Sequence, residues 1–265
     1  MRRQKSSHSK PFTPSQGGKQ RGSRRRAETE GIVLFGIHAV EAALANPNRP
    51  VLRLQATENA AQRLKDLIAE RRLSAEPVTP QDLDRLLGPD TVHQGVALEA
   101  GPLPPLTLDD VDPDGILLVL DQVTDPHNVG AALRSAAAFG ASGLVLTERH
   151  SPPFSGVLAK SASGALDLVP IVLVKNLSQA LNELGERGVM RIGLAEEAET
   201  ALEDVPLTRP LALVLGAEGK GLRHLTREKC DHLCRIPTVS ALASLNVSNA
   251  AAIAMHWAAM KAPSE

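Results

Sequence analysis

Three turns in this 265-residue chain carry residue types suited to chemistry, and each directly follows a short apolar run. The first comes after Ile116 to Leu120 and holds Asp121, then Asp125, Pro126, His127, Asn128, Val129 and Gly130, with Arg134 six residues beyond Asn128. Pro and Gly frame a sharp entry into a helix, Asn128 stands where an N-cap would, and Arg134 follows almost two turns later. An arginine there suits an anionic group and a histidine suits proton transfer near neutral pH; a capped helix with a surface arginine is the plain alternative. The second turn follows Leu211 to Leu215 and reads Gly216, Ala217, Glu218, Gly219, Lys220, Gly221. Three glycines within six residues let backbone pass very close to a ligand or to another segment. The run matches neither G-x-G-x-x-G nor a Walker loop, which disfavours a nucleotide phosphate cradle. The third turn, after His232 to Ile236, runs from Pro237 to Asn249 and spaces Ser244, Asn246 and Ser248 by two residues just before an apolar helix. That is more hydrogen-bonding capacity than an N-cap needs, although a cap plus a turn is the plain alternative.

The elements that must position these turns follow from periodicity. From residue 116 onward the pattern predicts strands at Ile116 to Leu120, Gly143 to Leu146, Val169 to Val174, Met190 to Leu194, Leu211 to Leu215 and His232 to Ile236. Helices are predicted over Val129 to Phe139, Gly156 to Ala162, Leu177 to Arg187 and Val247 to Met260. The last is apolar nearly all round, which marks a helix buried on more than one side. Strands separated by helices need right-handed crossovers and build a mostly parallel sheet, whose ligands bind at the carboxyl ends of the strands. The fold class is therefore α/β, with all three turns at strand ends.

Residues 31–100 predict a smaller α/β unit: a helix within Gly36 to Asn46, a strand Val51 to Gln55, a helix Glu58 to Glu70, a short helix Pro80 to Leu87 and a strand Gly95 to Glu99. Gly101, Pro102, Pro104, Pro105 and Pro113 then punctuate an Asp-rich stretch, so 101–115 is expected as an interdomain linker before a second domain over 116–265.

Charge separates a further region. Of 29 Lys and Arg, nine fall in residues 1–27, where no acid occurs, so the remainder carries 20 basic against 30 acidic residues. Residues 1–30, almost free of apolar side chains, are expected as a disordered basic arm that gains affinity for a polyanion by releasing counterions. An inert solubilising tail is the alternative. The arm lacks the apolar stretch of a secretory signal, and the longest apolar runs fall far short of a membrane span. Two cysteines, Cys230 and Cys234, are too few for a disulfide framework and fit a cytoplasmic setting. They lie near His224 and His232, but no second ligand pair has the usual spacing, so no metal is expected. With four Phe, one Trp and no Tyr, no wide stacking platform for RNA bases can form.

Taken together, Asn128-x-Gly130-x-x-x-Arg134, Leu215-Gly216-Ala217-Glu218-Gly219-x-Gly221, Ile236-Pro237 and Ser244-Leu245-Asn246-Val247-Ser248 resemble the SpoU or TrmH family of RNA ribose 2'-O-methyltransferases, in the SPOUT class. In the first domain, Gly36-Ile37-His38-Ala39-Val40 and His93-Gln94-Gly95 look like the substrate-binding module of the members that methylate a guanosine ribose of 23S ribosomal RNA. The resemblance spans residues 31–260 and leaves the basic arm outside. It implies a deep trefoil knot in the carboxyl-terminal parallel-sheet domain, a ribosomal-protein-like fold for the first domain, and a homodimer with catalytic residues contributed across the interface. It also implies S-adenosylmethionine held mainly by backbone at Gly216, Ile236 and Leu245, and a catalytic set of Arg134, Asn128, Glu218, Ser244 and Asn246. The implied partner is 23S rRNA or a large-subunit precursor. A tRNA ribose methyltransferase and an inactive knotted RNA-binding protein are the alternatives.

The implied chemistry is transfer of a methyl group from a sulfonium to a ribose hydroxyl, which requires alignment of the two atoms and handling of one proton. The resemblance makes Arg134 the catalytic residue. Deprotonating a guanidinium at pH 7 costs roughly 7 kcal/mol from its reference value of ~12.5, so phosphate anchoring or alkoxide stabilisation rivals the general-base role. His127 is not demanded by the motif, and a structural or substrate-contact role for it outweighs catalysis.

Overall fold

The computed structural model describes residues 31–112, 114–239 and 244–261; the basic arm expected over residues 1–30 lies outside the described residues. Two sheets organise the chain. The smaller is built from β1 (Ile32–Phe35), β2 (Val51–Ala56), β3 (Glu76–Pro77) and β4 (Val96–Ala100) in the order β1-β4-β2-β3, with β4 antiparallel to both β1 and β2. Its helices are α1 (Ile37–Ala45), α2 (Glu58–Arg63), α3 (Lys65–Glu70) and α4 (Pro80–Leu87). Thr79 and Asp82 form a reciprocal capping box with Pro80 at the first helical position, which is why α4 starts where the sequence predicts. The single helix expected over Glu58 to Glu70 is instead two, broken at Leu64, whose side chain turns into the core.

The two short motifs of this unit meet each other. Gln94 Oε1 accepts from the Ile37 backbone N–H at 2.9 Å, capping α1, whose own N-cap residue, Gly36, has no side chain to do so. His93 Nδ1 accepts from the Gly95 N–H at 3.0 Å, so the neutral ring carries its proton on Nε2, facing Asp84 Oδ1 at 3.2 Å. His93-Gln94-Gly95 is therefore a structural clasp.

The larger sheet has six parallel strands in the order β10-β8-β9-β5-β6-β7. They are β5 (Ile116–Asp121), β6 (Gly143–Thr147), β7 (Ile171–Val174), β8 (Met190–Leu194), β9 (Leu211–Gly216) and β10 (His232–Cys234). The helices are α5 (Pro126–Ala138), α6 (Gly156–Ala162), α7 (Leu177–Glu186), α8 (His224–Arg227) and α9 (Val247–Lys261). β5, β6 and the first five residues of β9 are wholly buried, as continuous apolar runs covered on both faces must be. One core joins the small sheet to the α5, α6 and α9 side of the large sheet; a second lies under α7.

Several expectations are corrected. Asp125, not Asn128, caps α5: its carboxylate accepts from the His127 N–H, and Pro126 takes the first helical position, moving Asn128 into the first turn. The strand expected from Val169 starts only at Ile171, because a 3₁₀ turn at Ala165–Asp167 precedes it. Within the expected linker 101–115, the described residues do not all hang free: Leu106 bridges to Val172, and Leu108 and Val111 are buried in the second core. Finally, α9 buries one face only, through Val247, Ala251, Ala254, Met255 and Ala258, and leaves Ile253 43% and Met260 66% exposed.

Candidate active site

Strand order reverses between β5 and β9, where Asp121 and Gly216 stand side by side at the carboxyl ends. A parallel α/β sheet opens a crevice at such a point because successive crossovers depart to opposite sides. Asp121 is buried, and its carboxylate accepts from Arg223 Nε at 2.7 Å and from the Arg223 N–H at 3.1 Å. The pair draws the far end of the glycine turn back onto β5. Within that turn the Gly221 N–H donates to the Ala217 carbonyl at 2.8 Å, and a Cβ at Gly216 would stand 2.1 Å from the Gly221 carbonyl carbon. Only glycine fits there, for reasons of space.

Glu218, at the tip of this turn, is the hub of a polar cluster. Its Oε1 accepts from Asn128 Nδ2 at 3.2 Å, from Asn246 Nδ2, and from the Val247 N–H at 3.4 Å. Asn246 Nδ2 also donates to Asn128 Oδ1 at 3.0 Å, while Asn246 Oδ1 accepts from the Ser248 N–H at 2.8 Å and from its hydroxyl. The amide of Asn246 is thus committed at both ends, and the carboxylate lies at the amino end of α9, where the helix dipole favours negative charge. Among the described residues every hydrogen bond to Glu218 goes to Oε1, which leaves Oε2 to receive an incoming donor. Asn128 comes from the turn after β5, Glu218 from that after β9 and Asn246 from that after β10, so three turns distant in sequence converge.

Beside the cluster lies a cavity of about 500 Å³, within the ~300–1,000 Å³ range of small-molecule sites. Gly216, Glu218, Ile236, Ser244 and Leu245 line it, bringing the three residues expected at a cofactor to one wall system. The lining mixes apolar side chains (Leu215, Ile236, Leu245) and glycine backbone with the charged Glu196, Glu197, Lys220, Arg227 and Arg235, which suits a ligand that carries both a ring and charged groups. At the rim Arg227 pairs with Glu197 and holds that carboxyl below the usual carboxylate range.

Arg134 is not brought to the cluster within one chain. It is exposed on α5, on the stripe of His127, Ala131 and Ala138. Next to this stripe, Phe139 meets His256 of α9 edge to face, with ring centroids 5.4 Å apart. His127 is likewise exposed, and its carbonyl accepts from Ser161 Oγ at 2.9 Å. Burial pushes the thiols of both Cys230 and Cys234 up to about 12, so both are neutral at pH 7. Sequence reasoning missed the Asp121–Arg223 pair and the rim residues Glu197, Arg227 and Arg235. An acid ending a wholly apolar strand was the available signal for the pair, since a buried charge demands a partner; nothing local marked the rim.

The comparisons with known proteins bear on both sheets. Residues 115–256 match the SpoU rRNA methylase family, and residues 33–106 match the RNA 2'-O ribose methyltransferase substrate-binding family. The chain is similar to the 23S rRNA (guanosine-2'-O-)-methyltransferase RlmB of Ralstonia nicotianae, 41% identical over 234 residues, covering 85% of this chain and 94% of that protein. The enzyme of the same name from Pseudomonas putida is 37% identical over 236 residues, again covering 85% and 94%. Among solved structures, the SpoU methyltransferase AviRb of Streptomyces viridochromogenes, in complex with the cofactor AdoMet, superposes with a TM-score of 0.75 at 25% identity, covering 91% of this chain and 93% of that one. Both halves of the chain, and the order in which they come, are thus those of one lineage, and this protein belongs to the SpoU rRNA methylase family.

Proposed function

We propose that this chain transfers a methyl group from S-adenosylmethionine to the ribose 2'-hydroxyl of a guanosine in 23S ribosomal RNA. The observation that carries the reading is the convergence of Asn128, Glu218 and Asn246 beside a cavity of cofactor size, in a chain whose two sheets both match ribose methyltransferase families. Bound S-adenosylmethionine would supply an electrophilic methyl group. Main chain at Gly216, Ile236 and Leu245, which line the cavity, would hold it, and Ser244 would add a short polar contact. Glu218 Oε2 would accept the hydrogen bond of the ribose 2'-hydroxyl and take up its proton as the oxygen is methylated, with Asn128 and Asn246 fixing the carboxylate. Arg134 offers its guanidinium to the developing alkoxide and the adjoining phosphate.

The exposed position of Arg134 supports a homodimer in which this residue serves the site of the other copy. The exposed stripes of α5 and α9, with Ile253, His256 and Met260, supply an apolar face, and Trp257 Nε1 lies buried without a partner among the described residues. A carboxyl-terminal trefoil knot is carried into the reading by the family membership alone. A ribosomal-protein-like fold for the small sheet and a cytoplasmic location complete the reading; among the described residues no helix is long and apolar enough to cross a membrane.

A tRNA substrate is the second reading. The solved structure concerned with 2-OH methylation of C/U34 on tRNA covers 57% of this chain, against 85% for the 23S rRNA methyltransferase of Ralstonia nicotianae, which favours ribosomal RNA. Mapping ribose methylation in ribosomal RNA and tRNA from a strain lacking the gene decides between them. Loss of one 23S guanosine methyl group is expected, and loss confined to tRNA overturns the assignment.

A further inference from the structure

The small and large sheets are joined by more than the connecting chain. Arg49, just before β2, is 2% exposed, and its Nε donates to Asp167 Oδ1 at 2.7 Å; the Asp167 side chain, in the 3₁₀ turn after α6, is 1% exposed. Asn46 Nδ2 donates to the same oxygen at 3.1 Å. Arg49 Nη1 donates to the Gly101 carbonyl at 3.0 Å, at the point where the chain leaves β4 for the large sheet. Arg71 in turn donates to the carbonyls of Asn46 and Arg49, both at 2.6 Å, and holds that loop from behind. One buried ion pair therefore ties the small sheet, the connecting segment and the large sheet at a single place.

The tie leads to the polar cluster through one helix. A Cβ at Gly156, at the start of α6, would stand 3.0 Å from the Val33 carbonyl of β1. A Cβ at Gly164, just past its end, would stand 2.8 Å from the His38 carbonyl of α1. The small sheet thus rests on both ends of α6. On the opposite side α6 packs on α5, where a Cβ at Gly130 would stand 2.6 Å from Ser161 Cβ and 2.7 Å from the Leu158 carbonyl. Gly130 is two residues from Asn128. Between the small sheet and the cluster lies a single helix, seated on glycines at each contact.

We propose that the Arg49–Asp167 pair is a positioning element for methyl transfer: it holds the small sheet at a set distance and angle from Asn128, Glu218 and Asn246, and so determines which ribose reaches them. This rests on the reading that the small sheet engages the RNA. A displacement of about 1 Å can cost an aligned reaction ~10²-fold, whereas a tether of chain alone would let one module present many riboses.

The test uses the full chain with two variants, Asp167→Asn, which removes one charge, and Arg49→Met/Asp167→Leu, which removes both and leaves neither unpaired. Spin labels at Gln62→Cys and Glu186→Cys report the distance between the sheets in the absence of RNA and cofactor. With labelled chains diluted in unlabelled ones so that a dimer carries a single labelled copy, the parent is expected to give one narrow distance distribution and each variant a broad one. With S-adenosylmethionine and a 23S rRNA transcript, the variants are expected to lose about ten- to a hundred-fold in kcat/KM for RNA, to methylate additional riboses, and to bind S-adenosylmethionine as the parent does. A merely structural role would lower Tm and cofactor affinity together. The proposal is overturned if the double variant keeps the narrow distribution, or if it broadens while methylating one ribose at the parent rate. Should Asp167→Asn not fold, the double variant carries the test, and should that too not fold, the pair is structural and the proposal fails. A parent that methylates no ribosomal RNA would overturn the function, while the distance measurement would still judge the tie.

Discussion

At the scale of single residues, Glu218 does what no neighbour can replace. Its Oε1 collects donors from two asparagine amides and one backbone N–H, so a neutral amide in its place would set one NH2 group against others or leave a donor unmet. Glu218→Gln is therefore expected to lower kcat by roughly tenfold or more, with a smaller change in S-adenosylmethionine affinity; steady-state methyl incorporation and calorimetry check this. Arg134 behaves in the opposite way. Being exposed on α5, it contributes nothing to the core, and Arg134→Ala is expected to leave Tm within a degree or two while abolishing turnover. Lysine keeps the charge but not the planar fork, so Arg134→Lys is expected to recover little. Near-normal methyl transfer by the alanine variant would remove Arg134 from the mechanism.

At the scale of elements, the placement of Asn128 depends on how closely α5 approaches α6. Gly130 is where the helices touch, and a methyl group there meets the Leu158 carbonyl and Ser161 Cβ well inside contact distance. Neither can retreat freely, because Leu158 is buried and the Ser161 hydroxyl is bonded to the His127 carbonyl. Overpacking of this kind costs about 1–3 kcal/mol. Gly130→Ala is expected to lower Tm and to reduce activity further than Tm accounts for, since prying α5 outward carries Asn128 away from Glu218; thermal melts beside rates at a temperature where both proteins are folded separate the two effects.

At the scale of the whole molecule, the polar cluster sits in one chain while Arg134 is exposed on α5 and, among the described residues, makes no hydrogen bond to it. Ile253 and Met260 of α9 stand exposed beside His256. Replacing both with Glu is expected to convert a dimer to a monomer and to remove activity, read by sedimentation velocity and methyl incorporation. Mixing Arg134→Ala with Glu218→Gln subunits is expected to restore part of the rate, because one interface then carries both intact residues. No recovery on mixing would show that each site is built within one chain.

Much of the large sheet was legible from residues alone because its central strands are buried on both faces and read as unbroken apolar runs: Ile116–Asp121 and Leu211–Gly216 depart from the pattern by one residue, and Met190–Leu194, half-buried and interrupted by Arg191, still lies where predicted. The three turns were legible for a related reason, since Gly216, Asn128 and Asn246 are out of place in any strand or helix interior. What local pattern could not supply is distance. The sequence separation of 118 between Asn128 and Asn246 leaves no local record that the two amides share a hydrogen bond. Asp125 rather than Asn128 became the cap because Pro126 needs the first helical position, a contest between neighbours that types alone leave open. Nothing in the local pattern marks Arg49 or Asp167, and only the seating of the small unit on both ends of α6 buries them against each other. Apolar periodicity sets which segments become elements, because each must hide a face from water; which polar side chains then meet is decided by how those faces are laid together, and that is a property of the tertiary structure alone.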